Sequence, residues 1–406
     1  MKLSVKGIKA VSASPKTKDY PGFLNDEATK PVRKLHSSLT GYEPTPLVVL
    51  DKLAKELGVK NIYVKDESKR FSMNAFKALG ATYAMARVLC DRLGVSIDEA
   101  DFNYFKSEEV KAKIADLVFV TATDGNHGRA VAWTAQMLGC KSVVYMPKGS
   151  SRFRLDAILS HGSDASITEF NYDDAVRLAC KMADENGWIF VQDTAFEGYE
   201  EIPNWITQGY TTMAYEANKQ ILDKNLSVPT HIFLQAGVGS MAGAVLGYFA
   251  NKYEAKLPKT IIVEPDAADC IYKSAEKATG EPVNVGGDLS TIMAGLACGE
   301  PNTVTWQILR DFAHAYVSCP DYVTVEGMKA LAHPMVGDEM VISGESGAVG
   351  VGLLSLISKY KELDEIKKML EINEDSSVLF FSTEGDTDPE NYIKCINDTT
   401  ELDFDK

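Results

Sequence analysis

The sequence has little of what a secreted, membrane or metal-dependent protein needs. Its first twenty residues hold no apolar run of the roughly 7–15 residues that a secretory signal requires. Six histidines include no HxxxH pair and seven cysteines no CxxC pair, which gives no support to a zinc site. Lys and Arg number 42 against 57 Asp and Glu, and a net charge of −15 argues against nonspecific nucleic-acid binding. We therefore expect a cytoplasmic protein without a metal ion.

One uncharged stretch, residues 226–251, has the length of a membrane span. Gln235, Gly237 and Ser240 would then lie in the middle of the bilayer, and the residues before them are typical of a β-strand. We therefore predict no membrane segment. No internal repeat and no low-complexity tract appears, and 406 residues correspond to two or three domains.

Short β-branched runs alternate with longer helical patterns along the chain. Apolar strands separated by helices favour parallel sheets covered by helices on both faces. The predicted strands are 61–65, 117–121, 142–146, 166–170, 189–193, 230–235, 260–264 and 378–382. The predicted helices are 76–93, 128–138, 152–161, 173–185, 205–219, 242–252 and 302–314. We predict an α/β protein with a large domain of residues 1–96 and 200–406 and a smaller middle domain of residues 97–199.

In such folds the chemistry collects in loops beyond the carboxyl ends of the strands. The first of these loops contains Lys77, at the start of a strongly apolar helix. A lysine is mildly disfavoured at a helix N-terminus, where a lowered amine pKa suits imine formation and proton abstraction. The alternative is a lysine whose chain covers apolar surface and whose amine reaches solvent.

The second loop, residues 121–128, has the sequence TATDGNHG between a predicted strand and a predicted helix. Backbone amides at a helix start can hold a carboxylate. The alternative is a turn in which Asp124 caps the helix. That alternative does not explain the presence of Asn126 and His127 in the same loop.

The third loop, residues 237–243, has the sequence GVGSMAG and also lies between a strand and a helix. Glycines let the backbone approach a phosphate closely, and the helix N-terminus supplies positive potential. The pattern, with Glu264 closing the next strand, also imitates a dinucleotide-binding fingerprint. A dinucleotide motif would usually start its domain, whereas here more than two hundred residues precede it.

The last strong strand leads into residues 381–386, FSTEGD. The hydroxyl of Ser382 or Thr383 can form a hydrogen bond to a ring nitrogen, although turn residues at a strand exit are the alternative. Nearby, GESGA at 344–348 begins a small-residue helix, where Glu345 is a candidate contact of a bound ligand. Helix packing explains that segment equally well.

Taken together and in this order, the four strand-exit motifs resemble the fold-type-II, tryptophan-synthase-β-like family of pyridoxal-phosphate enzymes. Longer matches resemble its diaminopropionate ammonia-lyase branch and extend from about residue 42 to residue 388. They are NAFK at 74–77, DGNHGR at 124–129, QDTA at 192–195, EPDAADC at 264–270, NVGGDLSTIMAGLACGEP at 284–301, SGESGA at 343–348 and STEGDTD at 382–388.

The resemblance implies a two-domain fold with the active site between the domains and a role for each motif. Lys77 is implied as the Schiff-base lysine and Asp124 as a second catalytic residue. The implied cofactor-binding residues are Lys77, Asn126, Gly237, Val238, Gly239, Ser240, Met241, Glu345 and one or both of Ser382 and Thr383. The implied substrate-binding residues are Thr123, Gly125, His127 and Asp193. Asp124 and Asp193 keep the simpler alternative of capping a helix or a strand end.

The activity implied is pyridoxal-phosphate-dependent α,β-elimination of D- and L-2,3-diaminopropionate to pyruvate and two ammonia molecules. Dehydratases usually have Ser or Thr at the position of Asp124. A substrate with a second ammonium explains an acid there, because the acid attracts that charge. Two alternatives stay open: a serine or threonine dehydratase of the same fold, and a non-catalytic nucleotide-binding protein. The resemblance also implies a homodimer. Cys270 and Cys298 lie in segments near the predicted site, so a disulfide between them stays open beside the interpretation as buried thiols.

Overall fold

The computed structural model describes residues 1–123, 125–400 and 402. Within these residues the strands form two sheets, one of eight strands and one of four. The strands are β1 Lys2–Val5, β2 Ile8–Ser12, β3 Leu47–Val49, β4 Asn61–Asp66, β5 Val118–Ala122, β6 Lys141–Met146, β7 Asp164–Ile167, β8 Ile189–Phe190, β9 His231–Gln235, β10 Lys259–Pro265, β11 Ala315–Cys319 and β12 Ser377–Ser382.

Helices cover both sheets. The α-helices are α1 Lys30–Ser37, α2 Asp51–Glu56, α3 Ala78–Leu93, α4 Phe102–Phe105, α5 Glu108–Ile114, α6 Asn126–Leu138, α7 Arg152–Leu159, α8 Tyr172–Asn186, α9 Glu201–Asp223, α10 Ser240–Tyr253, α11 Cys270–Lys277, α12 Thr303–Phe312, α13 Asp321–Ala332, α14 Glu345–Lys359, α15 Asp364–Met369 and α16 Pro389–Ile396. Short 3₁₀ turns are Gly22–Leu24, Glu67–Ser72, Glu254–Lys256, Asp266–Ala268, Ala294–Leu296 and Lys361–Leu363. Among the helices described, none is both long and apolar enough to cross a membrane.

The larger sheet has the order β1-β2-β11-β10-β9-β12-β4-β3, and its inner pairs β11-β10-β9-β12-β4 are parallel. The smaller sheet has the order β7-β6-β5-β8 and is parallel throughout. Strands β9 and β12 are buried along their whole length, as expected for strands covered on both faces. The carboxyl ends of β4, β5, β9 and β12 therefore bring together the loops that the sequence singles out.

Two predicted strand ranges differ from the structure by more than one residue at an end. The third strand of the smaller sheet is 164–167, not 166–170, because it pairs with Val143–Met146 directly after the turn at Gly162. The run 189–193 forms a strand only at Ile189–Phe190, where it pairs with β5. Asp193 accordingly lies in a loop beyond that strand.

The N-terminal residues, for which no strand was predicted, form the hairpin β1–β2. β2 pairs antiparallel with β11 and so continues the larger sheet. Ile8 and Ala10 are fully buried there. The helix predicted at 205–219 is also longer than expected, Glu201–Asp223, because Pro203 lies in its first turn, where proline breaks no helical hydrogen bond.

Candidate active site

A cavity lies where the strand ends of the two sheets meet. It is lined by residues from each of the four predicted motifs: Lys77, then Thr123, Asn126 and His127, then Gly237 to Ala242, and Thr383 with Glu384. Asp193 and Tyr172 complete the wall on the side of the smaller sheet. The structure thus brings most of the predicted site residues together.

Lys77 is held by a tightly constrained loop and by helix packing. Its backbone follows Phe71, Ser72 and Asn74, all of which have positive φ values. The Phe76 amide then donates to the Thr383 carbonyl oxygen at 3.0 Å, which ties this loop to the end of β12. Lys77 itself is the N-cap of α3. The amine is therefore placed on a rigid helix start inside the cavity.

Helix α3 can approach α9 closely because glycines lie at their crossing. A Cβ at Gly80 would come within 2.6 Å of the Tyr210 ring, and one at Gly209 within 2.4 Å of the Leu79 carbonyl oxygen. Any larger side chain would push the two helices apart. This packing fixes the position of the helix that begins beside Lys77.

The Lys77 amine forms an ion pair with Asp193, which is only 3% exposed. Tyr172 donates a hydrogen bond to the other carboxylate oxygen at 3.2 Å. Burial would raise the pKa of Asp193, but the charge of Lys77 holds it well below its ordinary value. Asp193 is therefore an anion at neutral pH and is buried beside the Lys77 amine.

His127 lies beside Asp193 and is neutral. Its Nε2 is 2.9 Å from the Val191 carbonyl oxygen, which only accepts, so Nε2 carries the hydrogen. Burial lowers the pKa of His127, and the nearby Asp193 opposes that shift only in part. The unprotonated Nδ1 then faces the Asp193 carboxylate at 4.0 Å.

The loop after β5 contains Thr123, Gly125 and Asn126 and lies beside the cavity. Gly125 has φ +148°, and a Cβ there would come within 2.9 Å of Arg154, so the turn requires glycine. Its amide donates to the Thr123 hydroxyl at 2.9 Å. Asn126 donates its side-chain amide to Glu384. The predicted second catalytic residue, Asp124, lies outside the described residues.

The glycine-rich loop fits a phosphate group. Gly239 has φ +96°, and α10 begins at Ser240 with no acidic residue in its first turn. Within the described part of the chain, the backbone amides of Gly237, Val238 and Gly239 donate no hydrogen bond, although they line a buried cavity. Such amides at a helix N-terminus are the usual ligands of a phosphate.

Ser382 and Thr383 are both buried, but only Thr383 lines the cavity. The Ser382 hydroxyl lies 3.4 Å from the Glu384 carbonyl oxygen, whereas Thr383 Oγ1 receives a hydrogen bond of 2.8 Å from Gln235. Of the two residues that the sequence left open, Thr383 is therefore the one that lines the cavity.

The structure does not bring Glu345 into this cavity. Glu345 starts α14 and lines a neighbouring cavity, where Asn391 donates to its carboxylate. Burial, together with the nearby Glu384, raises the pKa of Glu345 to about 7. Its side chain is drawn toward Asn391 and away from the glycine-rich loop.

The polar residues Tyr172, Gln235 and Glu384 also line the cavity, and sequence reasoning assigned none of them to the site. Glu384 accepts hydrogen bonds from Asn126, from Thr387 at 3.1 Å and from the Ser346 amide at 3.4 Å. Gln235 ends β9 and Glu384 follows β12, so the strand-exit rule would have found both. Tyr172 starts α8 and carries no sequence signal for a cavity.

Both cysteines near the site are present as thiols. The Cys270 sulfur lies 3.8 Å from the Gly237 carbonyl oxygen, and Cys298 lines the cavity. Burial raises the pKa of Cys270 well above its ordinary value, and the nearby Glu264 adds to that effect. The thiol of Cys270 is therefore protonated and unreactive at neutral pH.

Residues 39–382 match the family model described as "Pyridoxal-phosphate dependent enzyme". The chain belongs to this family. Diaminopropionate ammonia-lyase of Escherichia coli K12 is 51% identical to it over 376 residues, 93% of this chain and 92% of the relative. That of Salmonella typhimurium is 50% identical over 371 residues, 91% and 92% of the two chains.

Solved structures lead to the same group. The Escherichia coli diaminopropionate ammonia-lyase in complex with an aminoacrylate-PLP azomethine intermediate superposes with a TM-score of 0.90 at 46% identity, covering 98% of each chain. The predicted fold-type-II α/β architecture and the pyridoxal-phosphate cofactor are confirmed. The resemblance to the diaminopropionate ammonia-lyase branch is confirmed as well, and the chain is a lyase.

Proposed function

We propose that this chain converts D- and L-2,3-diaminopropionate, with one water, into pyruvate and two ammonia molecules. Identity of 51% over 93% of the chain to a diaminopropionate ammonia-lyase carries this proposal. The buried Lys77–Asp193 ion pair supports it from the geometry. A dehydratase is not favoured, because the relatives at about half identity carry the ammonia-lyase name. A non-catalytic nucleotide-binding protein leaves the buried Lys77–Asp193 pair unexplained.

Bound pyridoxal phosphate supplies an electron sink for the charge left at the substrate's α-carbon. In our proposal Lys77 holds the cofactor, the amides of residues 237–241 hold its phosphate, Asn126 meets the ring hydroxyl, and Thr383 meets the ring nitrogen. Lys77 also removes the α-proton of the L isomer. Asp124 removes that of the D isomer from the opposite face.

Asp193 binds the second ammonium of the substrate. A Lys77 amine that held the cofactor would no longer be an ammonium paired with the buried Asp193 carboxylate. An unpaired buried charge is costly, so a substrate ammonium in the same place is favoured. Serine carries no such ammonium, which explains a preference for the diamino acid. Thr123, Gly125 and His127 shape the wall around this position.

The test is pyruvate release from D- and L-diaminopropionate and from L-serine by wild type, Lys77→Ala and Asp124→Asn. We expect wild type to use both diamino isomers and Lys77→Ala to lose both. Asp124→Asn should lose the D activity and keep the L activity. Better turnover of serine would refute the substrate, and full activity of Lys77→Ala would refute the mechanism.

The domain boundaries, the homodimer and the cytoplasmic location are also proposals. The strands of the smaller sheet lie between residues 118 and 190, which supports a middle domain of residues 97–199. The homodimer rests on the family resemblance alone. Sedimentation of the purified protein would test it, since a species of monomer mass at micromolar concentration would contradict it.

A further inference from the structure

The side-chain amide of Gln235 lies between two oxygen atoms at the end of the central strands. Its Nε2 is 2.8 Å from the Phe381 carbonyl oxygen and 2.8 Å from Thr383 Oγ1. Strands β9 and β12 are parallel neighbours, and their register, continued by two residues, places Gln235 beside Ser382. Gln235 is 4% exposed, so water does not compete for these bonds.

The Phe381 carbonyl decides which way the amide points. A carbonyl oxygen only accepts, so the atom of Gln235 that faces it must be the NH₂ group. The opposite orientation would set two acceptor oxygens 2.8 Å apart. Because the same nitrogen also contacts Thr383 Oγ1, the second amide hydrogen is donated to that hydroxyl oxygen.

The Thr383 hydroxyl therefore accepts from Gln235 and still carries its own hydrogen. Thr383 is 3% exposed and lines the cavity. Among the described residues, none accepts this hydrogen. A buried hydroxyl donor without an acceptor is costly, so the site favours a ligand atom that accepts a hydrogen bond here.

We propose that Gln235 is a positioning residue that makes Thr383 a hydrogen-bond donor to the ring nitrogen of bound pyridoxal phosphate and so keeps that nitrogen unprotonated. A protonated ring nitrogen is itself a donor, and its hydrogen would meet the hydrogen of Thr383. An unprotonated nitrogen offers its lone pair to that hydrogen. The inference deepens the proposed function and rests on its placement of the ring against Thr383.

The experiment is nitrogen-15 magnetic resonance of the holoenzyme loaded with pyridoxal phosphate labelled at the ring nitrogen, without substrate. We expect the wild-type signal at the position of an unprotonated pyridine. In Gln235→Leu the Thr383 hydroxyl is no longer held by a donor and can present its lone pair to the ring. The signal should then move toward that of the protonated ring.

Three further variants distinguish a positioning role of Gln235 from a general disturbance of the structure. Thr383→Ser keeps the hydroxyl and should keep the wild-type signal. Thr383→Val should shift the signal and bind the cofactor about tenfold more weakly, the loss of roughly one hydrogen bond. Gln208, on α9, donates a similar hydrogen bond from its side-chain amide to the Phe23 carbonyl oxygen at 2.9 Å. Gln208→Leu removes this bond and should leave the signal unchanged.

A protonated signal in wild type overturns the proposal without any variant, so it remains testable if Gln235→Leu fails to fold. An unchanged signal in folded Gln235→Leu also overturns it. The measurement needs no turnover. Failure of the proposed function would appear separately, as absence of pyruvate from diaminopropionate in a protein whose signal still depends on Gln235.

Discussion

At the residue scale, the Asp193 carboxylate faces the Lys77 amine on one oxygen and the Tyr172 hydroxyl on the other. It is buried and ionised, and in our proposal its place beside Lys77 makes it the anion that a substrate ammonium meets. On this proposal, a carboxylate in this position favours diamino acids and gives no comparable advantage to serine.

Asp193→Asn should therefore lower kcat/KM for diaminopropionate about a hundredfold, as expected when about 3 kcal/mol of a buried charge interaction is lost. The fall for serine should be smaller, because serine has no second ammonium. Steady-state pyruvate release measures both. Asp174→Asn, which removes an exposed carboxylate paired with Arg177, is the control and should change neither. An equal fall for both substrates would contradict this role of Asp193.

Glu345 makes the stability of the protein depend on pH. Its pKa is raised from 4.5 to about 7 in the folded chain. Between these values the folded chain binds a proton that the unfolded chain has released, so the free energy of unfolding falls as pH rises through this window. Glu345→Gln cannot titrate and should lose that part of the fall.

Urea unfolding at pH 5 and pH 8 checks this prediction. The wild-type midpoint should drop more between the two pH values than the midpoint of Glu345→Gln. The exposed Glu362→Gln is the control and should behave as wild type. An identical pH dependence in wild type and Glu345→Gln would show that Glu345 titrates normally.

At the element scale, a buried ion network anchors the loop that leads to Lys77. Arg70 contacts Glu67 at 2.9 Å and Glu216 at 2.7 Å, and Lys65 contacts Glu216 at 2.7 Å. All four side chains are almost completely buried. The network joins the end of β4 and the following 3₁₀ turn to α9. It therefore fixes the position of the chain at the strained residues Phe71 and Ser72.

Glu216→Gln should lower the free energy of unfolding by about 3–5 kcal/mol, because it leaves two buried cations with one carboxylate. Denaturant unfolding followed by circular dichroism measures the change. Glu201→Gln removes an exposed acid at the start of the same helix and should cost little. A Glu216→Gln protein as stable as wild type would show that the network does not hold the loop.

At the scale of the whole molecule, the active site is made by contacts that cross from one sheet to the other. Lys77 reaches Asp193, Asn126 reaches Glu384, and the Ser240 hydroxyl donates to the Asp193 carbonyl oxygen. In our proposal the loops after β4, β5, β9 and β12 hold the cofactor, which would therefore bind both sheets at once.

Pyridoxal phosphate at a hundred times its Kd should raise the free energy of unfolding by about 2.7 kcal/mol, because it binds only the folded chain. Thermal unfolding of cofactor-free and loaded protein measures this, and Tm should rise on loading. Lys77→Ala removes the amine that in our proposal bonds to the cofactor, so its Tm should rise less. A Tm that does not respond to the cofactor would contradict a site built across the two sheets.

Several features were predictable because they depend on local sequence. The strand–loop–helix alternation, the strand-exit glycines and the lysine at a helix start follow from short-range patterning, and the structure bears out β4, β5, β9 and β12 with small shifts at their ends. The hairpin β1–β2 was missed because β2 is stabilised by pairing with β11, about three hundred residues away along the chain.

The sequence by itself determined the parallel α/β architecture, the family and the four loops of the site. These features depend on periodicity, glycine positions and motif order, which can be read from the sequence without knowledge of distant contacts. Only the tertiary structure decided that Thr383 rather than Ser382 lines the cavity, that Glu345 turns toward Asn391, and that Tyr172 joins the cavity wall. Those outcomes depend on which side chains meet across strands and helices far apart in the chain. Patterns among neighbouring residues do not predict such contacts.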